Sequence, residues 1–93
     1  MVKTIPFDAA HYTTSSESQQ SLLDDAFASG DAAYIVNALG IIARARGVTG
    51  VAAEASVTRE ALYKSLSDEG DPRLTTLLGI ARALGVKLTA RLA

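Results

Sequence analysis

The core of this chain has to be built mainly from small aliphatic side chains, and this requirement limits the folds open to it. Hydrophobic residues occupy 48% of the 93 positions, yet aromatic residues account for 5% and tryptophan is absent. Small side chains at this density favour close packing of helices over a sandwich of β-sheets. A chain of this length suffices for one domain and leaves no room for a second. We therefore predict a single all-α domain that spans residues 1–93.

The residue types that are missing exclude several classes of function. Without cysteine the chain has no disulfide, thiol nucleophile or thiolate metal site, and its one histidine, His11, cannot form a zinc site without carboxylate ligands. No nucleophile with a neighbouring base and no glycine-rich phosphate loop is found in the sequence. We therefore expect no catalytic activity, no metal and no cofactor.

Apolar runs in the sequence are a few residues long, which is too short to span a bilayer. Residues 1–7 also lack the apolar core of a signal peptide. Together these features predict a cytoplasmic protein with no membrane partner.

Charge is divided unevenly between the two halves of the chain. Residues 1–40 contain one lysine against five acidic residues, a net charge of −4, whereas residues 41–93 contain eight lysines or arginines against five acids, a net charge of +3. A basic surface is typical of nucleic-acid binding and an acidic one of some other partner. The surplus is small, and a solvated helical surface explains it equally well.

Two helices are indicated in the first half. Ser16 followed by Gln19 forms a capping-box pattern, and Gly30 is suited to ending the helix, which predicts a helix over 16–29. Asp31 can cap the next helix, whose apolar face continues until Gly47. Since this second helix is apolar on most sides, we expect it to be central.

Shorter elements follow in the second half. The capping residues Thr49, Thr58 and Asp71 predict helices over 50–55, 59–66 and from Pro72 to Leu84, the last of them ended by Gly85. The residues from Val86 to Leu92 alternate between apolar and polar, a period that predicts a strand. The β-branched residues and proline between Val2 and Phe7 predict an extended N-terminal segment.

The spacing of five residues points to a helix-turn-helix at about residues 50–66. A small residue is needed where the two helices cross, a turn residue follows four positions later, and three apolar anchors come next. These positions are held by Ala52, Ser56, Val57, Leu62 and Leu66. A plain bundle of amphipathic helices produces the same spacing by chance, so the spacing alone leaves both readings open.

Several separated segments resemble the probable addiction module antidote family of Xre/Cro-like antitoxins, which is similar to the HigA group. The segments are Ala38–Gly47, Val57–Ser67, Gly70–Pro72 and Ala83–Leu88, with Phe7–Tyr12 and Ser29–Asp31 in addition. The resemblance implies a five-helix, lambda-repressor-like DNA-binding domain with short extended terminal segments. It also implies an antitoxin that binds operator DNA, represses its own operon and neutralises a RelE/HigB-like toxin.

Three positions depart from the pattern of the family. Ser56 stands where glycine is usual, so a left-handed turn there would cost about 1 kcal/mol. Gly50 stands where the wider fold often has a glutamine that contacts phosphate, and Asp71 replaces an asparagine. All three differences are expected to weaken DNA affinity more than they change the identity of the family.

The candidate DNA-binding residues cluster at the second motif helix. They are Thr58, Arg59, Glu60, Tyr63, Lys64 and Arg73. Arg59 is suited to reading a guanine, whereas Lys64 and Arg73 are suited to contacting phosphates. Glu60 either accepts a hydrogen bond from cytosine or stabilises the start of the helix, and Tyr63 either reaches a phosphate or packs structurally.

Two functional readings come from these observations. In the first, the protein is a two-fold homodimer, because one short helix contacts too few base pairs for useful affinity. The predicted C-terminal strand would then pair with the extended N-terminal segment or with the same strand of the second copy across the dimer axis.

In the second reading, the chain neutralises a toxin without binding DNA, using the acidic helix over 16–29. The charges of Arg44 and Arg46 are explained by the dipole of their own helix in either case.

Overall fold

The computed structural model describes residues 15–67 and 69–93, and these residues form five α-helices and no strand. The all-α, five-helix prediction is confirmed. The predicted extended segment over residues 2–7 and His11 lie outside the described residues. The helices are α1 (Ser16–Ser29), α2 (Ala32–Arg46), α3 (Val48–Ala55), α4 (Arg59–Ser65) and α5 (Leu74–Ala83).

Helix α1 has the predicted bounds but a different N-terminal cap. Ser15 has extended backbone angles, and its hydroxyl oxygen accepts a hydrogen bond from the backbone N–H of Ser18 at 3.0 Å. The predicted capping box of Ser16 and Gln19 is therefore wrong by one residue, because Ser16 is already helical. Gly30 ends the helix in the left-handed conformation, with φ at 70°, as predicted.

Helix α2 contributes more buried residues than any other described helix, but α3 packs against more of the other helices, since it contacts α2, α4 and α5. Asp31 caps it by accepting a hydrogen bond from the N–H of Ala33 at 3.0 Å, and Gly47 ends it. Gly40 allows another backbone to come close, since a Cβ atom there would lie 3.3 Å from the carbonyl oxygen of Leu66. This contact brings the end of α4 against the middle of α2.

Helix α3 begins two residues earlier than predicted. Gly47, with φ at 103°, precedes it directly, and no side chain caps it, so the predicted cap at Thr49 is wrong. The axes of α2 and α3 differ in direction by 112°. Val48 and Val51 pack against the core after this turn. Burial of these valines takes the place of a side-chain cap in fixing the start of α3.

Helix α5 begins at Leu74 rather than at Pro72. Arg73 precedes it in an extended conformation, so the prediction of Asp71 as cap is wrong. Gly70 lies against the carbonyl groups at the end of α4, and this contact holds the loop away from helical geometry. The helix ends at Ala83, one residue before the predicted end, and Gly85 follows with φ at 74°.

The C-terminal segment from Val86 to Ala93 has no regular secondary structure, so the predicted strand over 86–92 is wrong. An alternating pattern makes a strand only where a neighbouring backbone completes the hydrogen-bond ladder. Within the part of the chain that the structure describes, nothing supplies that ladder to these residues.

The core is formed by side chains from all five helices. Helix α5 packs mainly against α3, and α1 packs against α2. The largest fully buried side chains are Leu39, Ile42, Leu62, Ile80 and Leu84. No single described helix is long and apolar enough to cross a membrane; α2 and α3 reach that length and composition only as a pair bent by 112°.

Candidate nucleic-acid interface

Helices α3 and α4 and the three residues between them form a unit that is anchored from one side. Ala52 is 3% exposed, Leu62 is 2% exposed and Leu66 is 7% exposed. Val57 packs against the same core, and its N–H donates to the carbonyl oxygen of Ala52 at 3.0 Å. The four residues predicted to be small or apolar anchors are thus buried or partly buried, which leaves the opposite side of α4 to solvent.

Ser56 makes the turn between the two helices in the left-handed conformation. Its φ is 61° and its ψ is 40°, and it is the one non-glycine residue with positive φ in the described ranges. Its N–H donates to the carbonyl oxygen of Ala53 at 3.2 Å. The backbone therefore takes a left-handed shape that glycine adopts more readily than serine.

Substitutions at Ser56 are expected to change stability in opposite directions. Ser56→Gly should raise the free energy of unfolding by about 0.5 kcal/mol, because relief of the strained angle exceeds the entropy that glycine adds to the unfolded chain. Ser56→Val should lower it by about 1 to 2 kcal/mol, since a β-branched residue tolerates positive φ poorly. Urea denaturation measures both changes, and a valine variant as stable as the parent would contradict the assigned conformation.

Thr58 fixes the start of α4. Its backbone is extended, and its Oγ1 accepts a hydrogen bond from the N–H of Ala61 at 3.0 Å, as the sequence predicted. The cap determines where the first turn of α4 lies. That turn carries Arg59 and Glu60, and the acidic side chain of Glu60 is favourably placed near the positive end of the helix.

The six predicted interface residues are all exposed. Five belong to α4 or its cap, and Arg73 lies at the start of α5, beyond the loop that returns to the end of α4. The guanidinium carbon of Arg59 lies 5.9 Å from the centroid of the Tyr63 ring. A cation–π contact at an exposed site contributes about 0.5 to 1 kcal/mol, enough to bias the arginine toward one side of α4.

Arg44 joins this surface from α2. It is exposed, and it lines a shallow depression together with Tyr63 and Leu62. Sequence reasoning attributed Arg44 to the dipole of α2 and so missed its position beside α4. The glycine at position 40, inside an apolar helix, was the sequence signal for this approach, and the structure shows that it lets α4 come close to α2.

Arg46 points away from α4 and connects two helices instead. Its guanidinium donates to the Oε1 of Gln19 at 2.8 Å, and Gln19 is 7% exposed. This contact ties α1 to the end of α2. Arg46 is thus engaged away from the surface of α4, whereas Arg59, Lys64 and Arg44 give that surface a cationic character that one acid, Glu60, partly offsets.

No group of three or more histidine or acidic side chains that could hold a metal ion occurs among residues 15–67 and 69–93. The groups that a ligand could contact at the surface of α4 are the cationic side chains of Arg59 and Lys64 and the capping residue Thr58. Such groups are suited to anionic phosphates and to the acceptor atoms at base edges.

Comparison with known proteins bears on the whole chain. Residues 3–92 match the model of a family described as "Probable addiction module antidote protein". An uncharacterised protein of Haemophilus influenzae is 38% identical over 81 residues, which cover 87% of this chain and 84% of that protein. No solved structure matches the chain.

Proposed function

We propose that this chain, which belongs to the probable addiction module antidote family, is an antitoxin that binds operator DNA through α4 and represses its own operon. The family supports an antitoxin role and a toxin as partner. The description of the family does not mention DNA binding, repression of the operon or the class of toxin. We propose these from the exposed surfaces of α4 and α1.

One observation carries the DNA-binding proposal: α4 is anchored by Leu62 on one side and presents Arg59 and Lys64 on the other. A short helix held in this way can enter a major groove while its neighbour crosses the backbone. We assign α3, the turn at Ser56 and α4 to a helix-turn-helix on this basis. In this assignment α4 is the recognition helix.

Different side chains have different proposed contacts. Arg59 donates two hydrogen bonds to a guanine, and its stacking on Tyr63 limits the rotamers it must give up. Lys64, Arg73 and Arg44 contact phosphates, which position the domain without reading sequence. Glu60 stabilises the start of α4, and Thr58 caps it.

The proposed operator complex contains two copies of the chain. Helix α4 has seven residues and so reaches few base pairs. Domains of this type usually gain affinity by binding as two copies, which contact half-sites about 34 to 36 Å apart. We therefore propose that the chain binds its operator as a two-fold homodimer.

The proposed toxin surface is α1. This helix contains Glu17, Asp24 and Asp25 and no basic residue. Asp24 accepts a hydrogen bond from the Nε2 of Gln20 at 2.8 Å, and Asp25 accepts one from the hydroxyl of Tyr34, which raises the pKa of that tyrosine. These contacts orient the carboxylates, and an oriented acidic face complements a basic protein such as a RelE/HigB-like toxin.

The acidic face of α1 also supports a second candidate function, in which the chain neutralises a toxin and does not bind DNA. The two candidates differ in one measurable property. Helix α1 packs on α2, whereas α4 packs on α3, so variants of one surface can be made without altering the other.

Binding to the DNA upstream of the gene tests the proposal. We expect the chain to bind that duplex more tightly than a scrambled duplex of equal length. Three phosphate-contacting cations in each of two copies predict a roughly 10³-fold loss of affinity as salt rises from about 50 to about 200 mM. Equal binding to both duplexes, or none, together with copurification of a co-expressed toxin, would favour the second candidate instead.

A further inference from the structure

A groove runs between helix α1 and the C-terminal segment. Its volume is about 590 Å³, and it is lined by one face of α1, by Arg46 and by residues 85–89. We call it the α1 groove. The residues of α1 that line it are Ser16, Gln19, Gln20, Leu23, Asp24 and Phe27. The rise from the first to the last of these is about 16 Å, so the groove follows most of the helix.

Large apolar side chains line both sides of the α1 groove. On α1 these are Leu23, which is 9% exposed, and Phe27, which is 39% exposed. On the C-terminal segment they are Val86 and Leu88, both partly buried. Apolar side chains that line a common groove mark a site of association more often than isolated exposed residues do.

Polar side chains in the α1 groove are already hydrogen-bonded to one another. Arg46 donates to the Oε1 of Gln19 at 2.8 Å, and the Nε2 of Gln20 donates to Asp24 at 2.8 Å. An apolar side chain can fill the space beside these pairs without breaking a hydrogen bond. A small-molecule site, by contrast, needs polar groups that converge on the ligand. The groove is therefore suited to apolar side chains of another protein.

Charge distinguishes the two sides of the groove. Helix α1 carries three acids and no basic residue, and one of the acids, Asp24, lines the groove. On the other side Lys87 lines the groove, and residues 82–93 contain no acid. A basic side chain of a partner is thus favoured beside α1 and disfavoured beside the C-terminal segment. This asymmetry favours one orientation of the partner.

We infer that the α1 groove binds an apolar segment of the toxin, with a large apolar side chain between Phe27 and Leu88 and a basic side chain beside Asp24. The inference rests on the proposed antitoxin function and adds to it the part of α1 that contacts the toxin and the chemistry of the toxin segment. Phe27 contributes most to the affinity, because buried aromatic side chains dominate interfaces. A purely electrostatic contact would instead depend equally on every acid of α1.

Affinity for the toxin encoded beside this gene tests the apolar part of the contact. Phe27→Lys in the full chain should weaken binding at least about 30-fold, since the complex would bury an unpaired charge. Leu78→Lys is the matched control: Leu78 is 41% exposed, nearly as much as Phe27, but lies on α5. Its replacement should leave the affinity unchanged. Titration calorimetry measures both, and melting temperatures near that of the parent exclude unfolding as the cause.

Two charge reversals separate the groove from the rest of α1. Asp24→Arg and Asp25→Arg change exposed acids of the same helix by the same charge, but only Asp24 lines the groove. Asp24→Arg should weaken toxin binding about tenfold more than Asp25→Arg. Equal losses from the two reversals, with no loss from Phe27→Lys, would overturn the inference and leave α1 as the proposed toxin surface. A parent chain that does not bind the toxin would overturn both.

The absence of cysteine from the chain allows occupancy of the groove to be measured directly. Gln20→Cys places a thiol in the groove, and Ser21→Cys places one at the next exposed position, outside it. The toxin should slow alkylation of Gln20→Cys at least about tenfold and that of Ser21→Cys less than about twofold. Equal protection at both positions would overturn the inference. So would slow alkylation of Gln20→Cys in the free chain, because another part of the chain would then cover the groove.

Discussion

Replacing Gly70 by alanine is expected to lower the free energy of unfolding by at least about 3 kcal/mol. A Cβ atom on Gly70 would lie 2.2 Å from the carbonyl oxygen of Ser65 and 2.7 Å from that of Lys64. Both are backbone atoms at the end of α4, so neither can rotate away as a flexible side chain would. Gly70 lacks the positive φ found at Gly30, Gly47 and Gly85, and the expected loss is therefore steric.

A second glycine provides the control for this substitution. Gly50 is exposed within α3, and no atom outside its own helix lies within 4 Å of the position a Cβ would take. Gly50→Ala should raise the free energy of unfolding by about 0.5 to 1 kcal/mol, because alanine favours the helix. Urea denaturation of the two variants measures both effects. Equal stability of the Gly70→Ala variant and the parent would show that the loop does not rest on the end of α4.

Replacing Arg59 by alanine is expected to cost about 1 to 3 kcal/mol of operator affinity per half-site, about 5- to 150-fold, and to relax preference at one base position. The loss is specific because alanine removes the two donors proposed to meet guanine. Arg59→Lys should lose nearly as much on the operator while retaining affinity for scrambled DNA, since a lysine keeps the charge but not the planar fork. Fluorescence anisotropy with both duplexes measures the difference.

Lys64→Ala is the matched comparison on the same helix. It should weaken binding to operator and scrambled DNA alike and reduce the slope of log affinity against log salt by about one unit per copy. If Arg59→Ala and Lys64→Ala lose the same fraction of affinity on both duplexes, Arg59 contacts phosphate and reads no base. Melting temperatures near that of the parent would exclude unfolding as the cause, because both side chains are exposed.

The positions of α1 and α2 could be predicted because their signals are local. Gly30 and Asp31 stand side by side, and a left-handed glycine followed by a capping aspartate ends one helix and starts the next without help from distant residues. The cap at Thr58 and the left-handed glycine at Gly85 were predicted from the same kind of local signal. Ser15 and Ser16 show its limit, since two adjacent serines can each cap a helix and the pattern alone does not choose between them.

The candidate interface was predicted less completely than the helices. Exposure of the residues on α4 follows from the burial of Leu62 and Leu66, which the spacing predicted. The contact between Arg59 and Tyr63 depends on side-chain rotamers, which no pattern specifies. Arg44 is fifteen or more positions away from any residue of α4 and reaches its surface through the close approach at Gly40.

By itself the sequence determined that the chain is helical, where two of its helices lie and which residues anchor α4, because caps, helical periodicity and apolar spacing act over a few residues. Tertiary structure decided the start of α3 at Val48, the start of α5 at Leu74 and the absence of a strand after Val86. Each of these depends on a partner distant in the chain: the core for Val48, the end of α4 for the loop at Gly70, and a neighbouring backbone for a strand. An alternating or capping pattern indicates which secondary structures a segment can adopt, and the free energy of packing determines which of them it adopts.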